Sequence, residues 1–285
     1  MTDLGLLLDG MTDIEDVTTD DPSERNVQAD VNAFNRSLLP DTPVIRPPED
    51  GHLTLQWGYE HDGELHKAAV VRELNGSDEE AMSKLKGTGV YYYAHLEEMI
   101  VRRATESIGD FTPSTQPGMT SSLLLGDRGL LFAHILLATY GPTKEYEEVK
   151  CPHCEALNDV EIDWFDLLDI RGMKGDSPTT IVKTKTRNIE LRFPTGQDQI
   201  AVVSDNRDAT DAEMNTTMIA RVLVNDDIAD KKRFVLRLSI PDRRRIVKAL
   251  ETQAPTVGFK ECEVPCPSCD QKITFAFSWA DLLFS

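Results

Sequence analysis

Leu53, Leu55 and Trp57 alternate with polar residues, the period-2 pattern of a strand with one buried face. A polar turn at Asp62-Gly63 separates this run from a second one, Ala68 to Leu74, so the pair predicts a hairpin. Asn75-Gly76 then turns the chain, and Ser77 with Glu80 has the form of a capping box, which predicts a helix from about Asp78. Over Val90 to Ile108 the period becomes helical, with Tyr92, Leu96, Met99, Ile100 and Arg103 on one side and Gly109 as the stop. Another helix is predicted from Asp127, read as its N-cap, to Gly141-Pro142, with Leu130, Leu131, His134, Ile135 and Ala138 on one face. His134 reads as a core or boundary residue rather than a ligand.

Beyond residue 170 the pattern shifts. Arg171 to Lys185, rich in Gly, Ser, Thr and Lys, reads as a loop. Ile189-Leu191-Phe193 and Ile200-Val202, split by Pro194-Thr195-Gly196, predict a second hairpin. Helices are predicted over Asp211 to Val224 and Pro241 to Gln253. Residues 1–45 show no sustained period and read as an acidic arm, either a solvated tail or a segment that folds onto a partner subunit.

Charge narrows the function. The net charge of -19 repels nucleic acid and anionic lipid, which argues against DNA binding as a main task. Residues 1–50 hold twelve acids against three arginines, so much of that charge sits in the arm. No run approaches the ~18 apolar residues of a membrane helix, and Asp3 stands where a signal peptide carries positive charge. The expectation is a cytoplasmic protein with reduced thiols. Lys231, Lys232, Arg233, Arg237, Arg243, Arg244, Arg245 and Lys248 form the one basic concentration. It reads first as a solvated face paired to Asp226, Asp227, Asp230 and Asp242, and otherwise as a phosphate or RNA site or a docking patch for an acidic partner. There is no Walker lysine loop, nucleophile elbow, His-Glu-x-x-His or dinucleotide fingerprint, so no catalytic residue and no small-molecule substrate is expected.

The cysteines carry the strongest chemical signal. Cys151-Pro152-His153-Cys154 and Cys266-Pro267-Ser268-Cys269 are two Cys-Pro-x-Cys turns, each able to aim two thiolates at one ion. The text after them matches at a constant offset of 115 residues: Trp164, Asp166, Leu167 and Leu168 answer to Trp279, Asp281, Leu282 and Leu283. Each copy therefore reads as knuckle, strand and short helix. One zinc held by Cys151, Cys154, Cys266 and Cys269 is the simplest arrangement, because each copy supplies two ligands and a structural site takes four. A closed S₄ shell leaves no open position, so the metal is expected to be structural. The paired tryptophans are expected to pack the two units together, and Asp166 and Asp281 to act as local caps. Cys262 reads as a buried strand cysteine and His153 as facing outward.

The ordered series Arg72-Glu73-Leu74-Asn75-Gly76-Ser77-Asp78-Glu79-Glu80, Gly126-Asp127-Arg128, Tyr140-Gly141, the first knuckle, Leu191-Arg192-Phe193-Pro194-Thr195-Gly196-Gln197-Asp198 and the second knuckle resembles the T-even-type phage baseplate hub assembly family of contractile-tailed phages and related injection systems. The resemblance runs over about residues 68–285. It implies a non-enzymatic structural subunit or chaperone of the baseplate hub, with hub, tail-tube initiator and tape-measure proteins as partners, working in the host cytoplasm or retained in the virion. The rival reading is a zinc-ribbon protein that binds nucleic acid through residues 231–248. The expected architecture is α+β: an arm (1–45), an α+β N-terminal domain (46–142), a bipartite zinc module (143–170 plus 259–285) and an inserted α/β segment (171–258).

Overall fold

A computed structural model describes residues 51–85, 89–205, 209–275 and 277–283. The acidic arm lies outside the described residues. The fold is α+β.

The predicted first hairpin forms from β1 (His52–His61) and β2 (Glu64–Val71), and β3 (Thr105–Ile108) adds to β2 in a three-stranded antiparallel sheet. The register of β1 slips between Thr54 and Tyr59, at Gly58, whose φ is +100°. A Cβ there would stand 2.4 Å from the His66 carbonyl oxygen, so the bend requires glycine. Helices α1 (Gly76–Ser83), α2 (Gly89–Ala104), α3 (Met119–Ser122) and α4 (Leu125–Tyr140) follow the chain around this sheet. Leu55, Val71, Leu96, Ile100, Leu131 and Ile135 meet in the first core, each at most 1% exposed.

After α4 come β4 (Thr143–Lys150), β5 (Leu157–Asp163) and β6 (Leu168–Arg171). The chain then builds a second core from β7 (Thr179–Lys183), β8 (Asn188–Arg192), α5 (Gly196–Asp205), α6 (Asp211–Val222), α7 (Lys231–Arg237) and α8 (Ile240–Gln253). It returns through β9 (Thr256–Phe259), antiparallel to β6, and ends in β10 (Cys262–Pro265), β11 (Lys272–Phe275) and α9 (Trp279–Leu283).

Several expectations need correction. The cap of α1 is Asn75 with Asp78, not Ser77 with Glu80. The predicted helix over Val90 to Ile108 stops at Ala104, because Thr105–Ile108 gains more as a third strand, with Ile108 buried beside Ala69. The cap position of α4 belongs to Leu124, while Asp127 lies in the first turn, fully buried. Ile200-Val202 is part of α5 rather than a strand; a Thr195/Asp198 capping pair starts the helix, and so short an apolar run does not distinguish the two periods. The true hairpin partner of β8 is β7, inside the segment read as a loop, where Thr180 and Val182 point inward and Ile181 outward.

The two cores repeat one another beyond the knuckles. Each begins with a hairpin and then the turn Arg-x-x-x-Gly-x-Asp, at 72–78 and 192–198. In the first, Arg72 Nη1 and Arg103 Nε both donate to the Asp78 carboxylate at 2.6 Å, and Arg72 Nη2 donates to the Arg103 carbonyl at 2.8 Å. In the second, Arg192 Nη2 (2.8 Å) and Arg221 Nε (3.1 Å) donate to Asp198, and Arg192 Nη2 also reaches the Arg221 carbonyl at 3.2 Å. Both aspartates are 1% exposed. Burial opposes their ionisation, but the arginines and the Asn75 and Thr195 N–H groups hold both below the usual carboxylate range. Each half then has a helix with Asp-Arg in its first turn, 127–128 in α4 and 242–243 in α8. Asp127 accepts the backbone N–H groups of Gln56 (2.6 Å), Trp57 (3.1 Å) and Gly58 (2.7 Å), and burial nevertheless pushes its pKa up. Asp242 accepts from Ser239 Oγ at 2.7 Å and from the Lys185 backbone, which lower it.

Candidate metal centre

The knuckles sit at the tips of the β4–β5 and β10–β11 hairpins. Their registers coincide under the same 115-residue offset, Val149 opposite Asn158 and Lys150 opposite Leu157 matching Val264 opposite Ile273 and Pro265 opposite Lys272. Within each turn the first cysteine N–H donates across the hairpin, Cys151 to the Ala156 carbonyl at 2.9 Å and Cys266 to that of Gln271 at 2.8 Å. The residue after the second cysteine is left-handed in both, Glu155 at φ +62° and Asp270 at +59°. Its N–H returns to the first cysteine's carbonyl, at 3.0 Å and 2.8 Å. This tight geometry turns both sulfurs of a copy to the same side.

The two copies face each other with two-fold regularity. Cys151 Sγ lies 3.8 Å from Cys269 Sγ, and Cys154 Sγ 3.7 Å from Cys266 Sγ. All four sulfurs fall within 4.8 Å of one another, so the set can hold one metal ion. The edge of a tetrahedron with ligands at ~2.3 Å is about 3.8 Å, the spacing of these contacts. A disulfide would need ~2.05 Å, and all five cysteines are free.

The electrostatics ask for a cation. Burial resists ionisation of Cys266, but the Ser268 and Cys269 N–H groups and the neighbouring thiols pull it down to about 6. At Cys269 the Gln271 N–H favours the thiolate, yet desolvation and the surrounding sulfurs carry it up to about 12. One thiolate is thus favoured and ionisation of its neighbour Cys269 opposed, the pattern of sulfurs crowded together without a counter-ion. Asn158 supports one side only: its Nδ2 donates to the Val149 and Ala156 carbonyls at 3.2 and 3.0 Å, leaving Oδ1 3.7 Å from Cys266 Sγ.

Other sequence-selected residues fall elsewhere. Cys262 is buried in β10 with Val160 and Ile162, its thiol pushed up by burial, and His153 is exposed. Both tryptophans enter the first core, where Trp164 and Leu168 of one unit and Trp279 and Leu282 of the other fall in one cluster. Trp164 is fully buried in the first core with Nε1 on the Gly141 carbonyl at 2.8 Å, and Trp279 packs on Phe259 and Phe132. Both also reach α4, Trp164 at its C-terminal Gly141 and Trp279 at Phe132. Asp281 does cap, accepting from Ser278 N and Oγ at 2.7 Å; in the first copy the acceptor is Asp163, which receives the Asp166 N–H at 3.0 Å.

The basic residues are not one free surface. Lys231 Nζ donates to the Leu223 carbonyl at 2.5 Å, Arg243 Nη2 to the Ala212 carbonyl (2.8 Å) and Thr216 Oγ1 (2.6 Å), and Arg245 pairs with Asp242. Asp230 caps α7 through the Arg233 N–H, and Asp227 pairs with Arg187. Lys232, Arg233, Arg237, Arg244, Arg245 and Lys248 are exposed.

Sequence reasoning overlooked the buried charges Asp78, Asp127, Asp198 and Arg128. Arg128 is fully buried against Glu97 and Glu98. The repeated Arg-x-x-x-Gly-x-Asp and Asp-Arg pairs were the available signal.

A family model described as T4 bacteriophage base plate protein matches residues 97–282. No curated protein and no solved structure matches the chain.

Proposed function

The chain belongs to the T4 bacteriophage base plate protein family, and from that premise we propose that it is a non-enzymatic structural subunit or assembly factor of the baseplate hub. A baseplate protein works among other phage tail proteins; the partners proposed here are the hub, the tail-tube initiator and the tape measure. The family match carries the reading, and the resemblance of the ordered series between Arg72 and the second knuckle supports its hub-specific part. Among the described residues no helix is long and apolar enough to cross a membrane. The test is quantitative mass spectrometry of purified particles beside the lysate. A fixed small ratio to the tail-tube subunit marks a retained component, and absence from particles with co-purifying tail proteins marks an assembly factor. Association with no tail protein overturns the proposal.

The proposed metal is one structural zinc on Cys151, Cys154, Cys266 and Cys269, supported by the tetrahedral spacing and by a donor set made only of sulfur. When bound it supplies cross-linking and charge neutralisation. It would tie the ribbon of residues 143–170 to that of 259–285, with 171–258 as an insertion between them. One zinc per purified chain is expected; two, or none under reducing conditions, would refute a shared site. Because binding requires thiolates, metal uptake releases protons, so affinity should fall as pH falls, read by titration against a chromophoric chelator.

A further inference from the structure

The seam between the two halves is made by a loop of one and an edge of the other. The loop is Pro194-Thr195-Gly196, ahead of α5, and the edge is Leu123-Leu124-Leu125, where α3 gives way to α4. Leu125 N donates to the Pro194 carbonyl and Gly196 N to that of Leu123, both at 3.1 Å, and Leu124 and Thr195 form an antiparallel bridge. Gly196 is buried in the seam, where a Cβ would fall 2.1 Å from Arg128 Nη1.

By the repeat each half owns both parts, and one of each is left over. The first half's loop is Leu74-Asn75-Gly76, and the second half's edge is Leu238-Ser239-Ile240. The two edges have one backbone conformation: φ/ψ is -64°/151° at Leu123 and -60°/148° at Leu124, against -65°/144° at Leu238 and -64°/149° at Ser239. Yet the leftover parts are open. Gly76 is exposed, with nothing among the described residues within 4 Å of a Cβ, and beside the edge Ile240 is 68% and Leu236 61% exposed.

We infer that a second copy of the chain seats its Leu74-Asn75-Gly76 loop on Leu238-Ser239-Ile240, repeating between molecules the seam that joins the halves within one. The charges complement each other there. Inside the seam Gln199 donates to Glu97 at 3.2 Å and Ser204 lies 3.4 Å from His95. Counted along the repeat, the loop side then offers Glu79 and Lys84 of the second copy, and the edge side offers Asn215 and Glu213. Arg243 takes the place of Arg128 but bonds the Thr216 hydroxyl where Arg128 meets the Glu98 carboxylate, so an incoming Glu79 supplies the missing negative charge. Exposed Arg237 and Arg244 flank the edge, and exposed Glu73 and Glu80 flank the loop. Loop and edge are different surfaces, so the contact is heterologous: each copy keeps one of each free, and growth continues until a ring closes.

Sedimentation velocity of the full chain over a concentration series tests this. The wild type should pass beyond dimer as concentration rises. Ile240→Asp spoils the edge, and Gly76→Val places a side chain where the partner's Arg243 must lie; both sites are exposed, so circular dichroism should be unchanged. Each variant alone should be monomeric. An equimolar mixture should form a dimer and stop, since one sound loop meets one sound edge. A wild type that stays monomeric, variants that still dimerise, or a mixture that stays monomeric would each overturn the inference.

Discussion

Replacing Cys151 or Cys266 by serine is expected to yield insoluble protein. Both residues are at most 1% exposed, and each opens a knuckle whose N–H already spans its hairpin. A serine there brings a hydroxyl that does not replace a thiolate as a zinc ligand, and three sulfurs remain facing one another without a complete shell. Apparent binding of structural zinc is worth ~10–16 kcal/mol near neutral pH, against a total stability of ~5–15 kcal/mol for an ordinary domain. Without the proposed zinc the ribbons keep, among the described residues, two small buried clusters, Cys151, Cys266 and Ile273 at the knuckles and Val160, Ile162 and Cys262 between the strands. Cys154 is exposed and Cys269 half-buried, so serine at those positions should be milder in aggregation while still lowering metal content. The β6–β9 pairing brackets the second core, so β7, β8 and helices α5 to α8 should stay protected in hydrogen exchange even where the ribbons melt. The measurement is soluble fraction with metal per chain; soluble, well-folded Cys151→Ser or Cys266→Ser would contradict a folding role for the metal.

Much of this site could be read in the sequence because its geometry is local. A two-residue spacer sets the direction of two sulfurs whatever the rest of the chain does, and the match from Cys151 to Leu168 and Cys266 to Leu283 placed the copies in register. The first hairpin and helix α4 were legible for the same reason, since alternation and helical period report one buried face each. What failed depended on distant partners. Ile200-Val202 looks like strand until Thr195 and Asp198 are seen to start a helix. Thr179–Lys183 looks like loop until Asn188–Arg192 pairs with it. Asp127 resembles a cap in isolation, and only the bend of β1 at Gly58 brings three N–H groups to its carboxylate. The tryptophans were legible as packing residues, whereas their further neighbours Phe132 and Phe259 were not, because sequence periodicity identifies a buried face and not the surface that buries it.

Asp198→Ala should be the other severe substitution, and its severity follows from the same repeat. The Asp198 side chain is 1% exposed and accepts from Arg192, Arg221, the Thr195 N–H and the Thr195 hydroxyl. Removing it leaves two guanidinium groups side by side, Arg192 keeping only the Arg221 and Phe193 carbonyls; both side chains are about one-third exposed, so solvent screens them and the loss stays below the about 3–5 kcal/mol of a fully buried pair. It also frees the Thr195-Gly196 turn, whose backbone holds the edge at Leu123 and Leu125, so the damage reaches the seam as well as the second core. Asp78→Ala, the matching change in the first half, should cost a similar amount without loosening the seam, because Leu74-Asn75-Gly76 bears no such load within one molecule. Acid should mimic both. Each carboxyl is held below its ordinary value in the folded chain, so its stabilisation is complete above that value and drains away as pH falls through the lowered one. Urea unfolding of the metal-loaded chain as a function of pH reads this directly. Asp198→Ala should flatten the acid limb while lowering the plateau, whereas a plateau equal to wild type would mean the two arginines find other partners and the clamp contributes nothing.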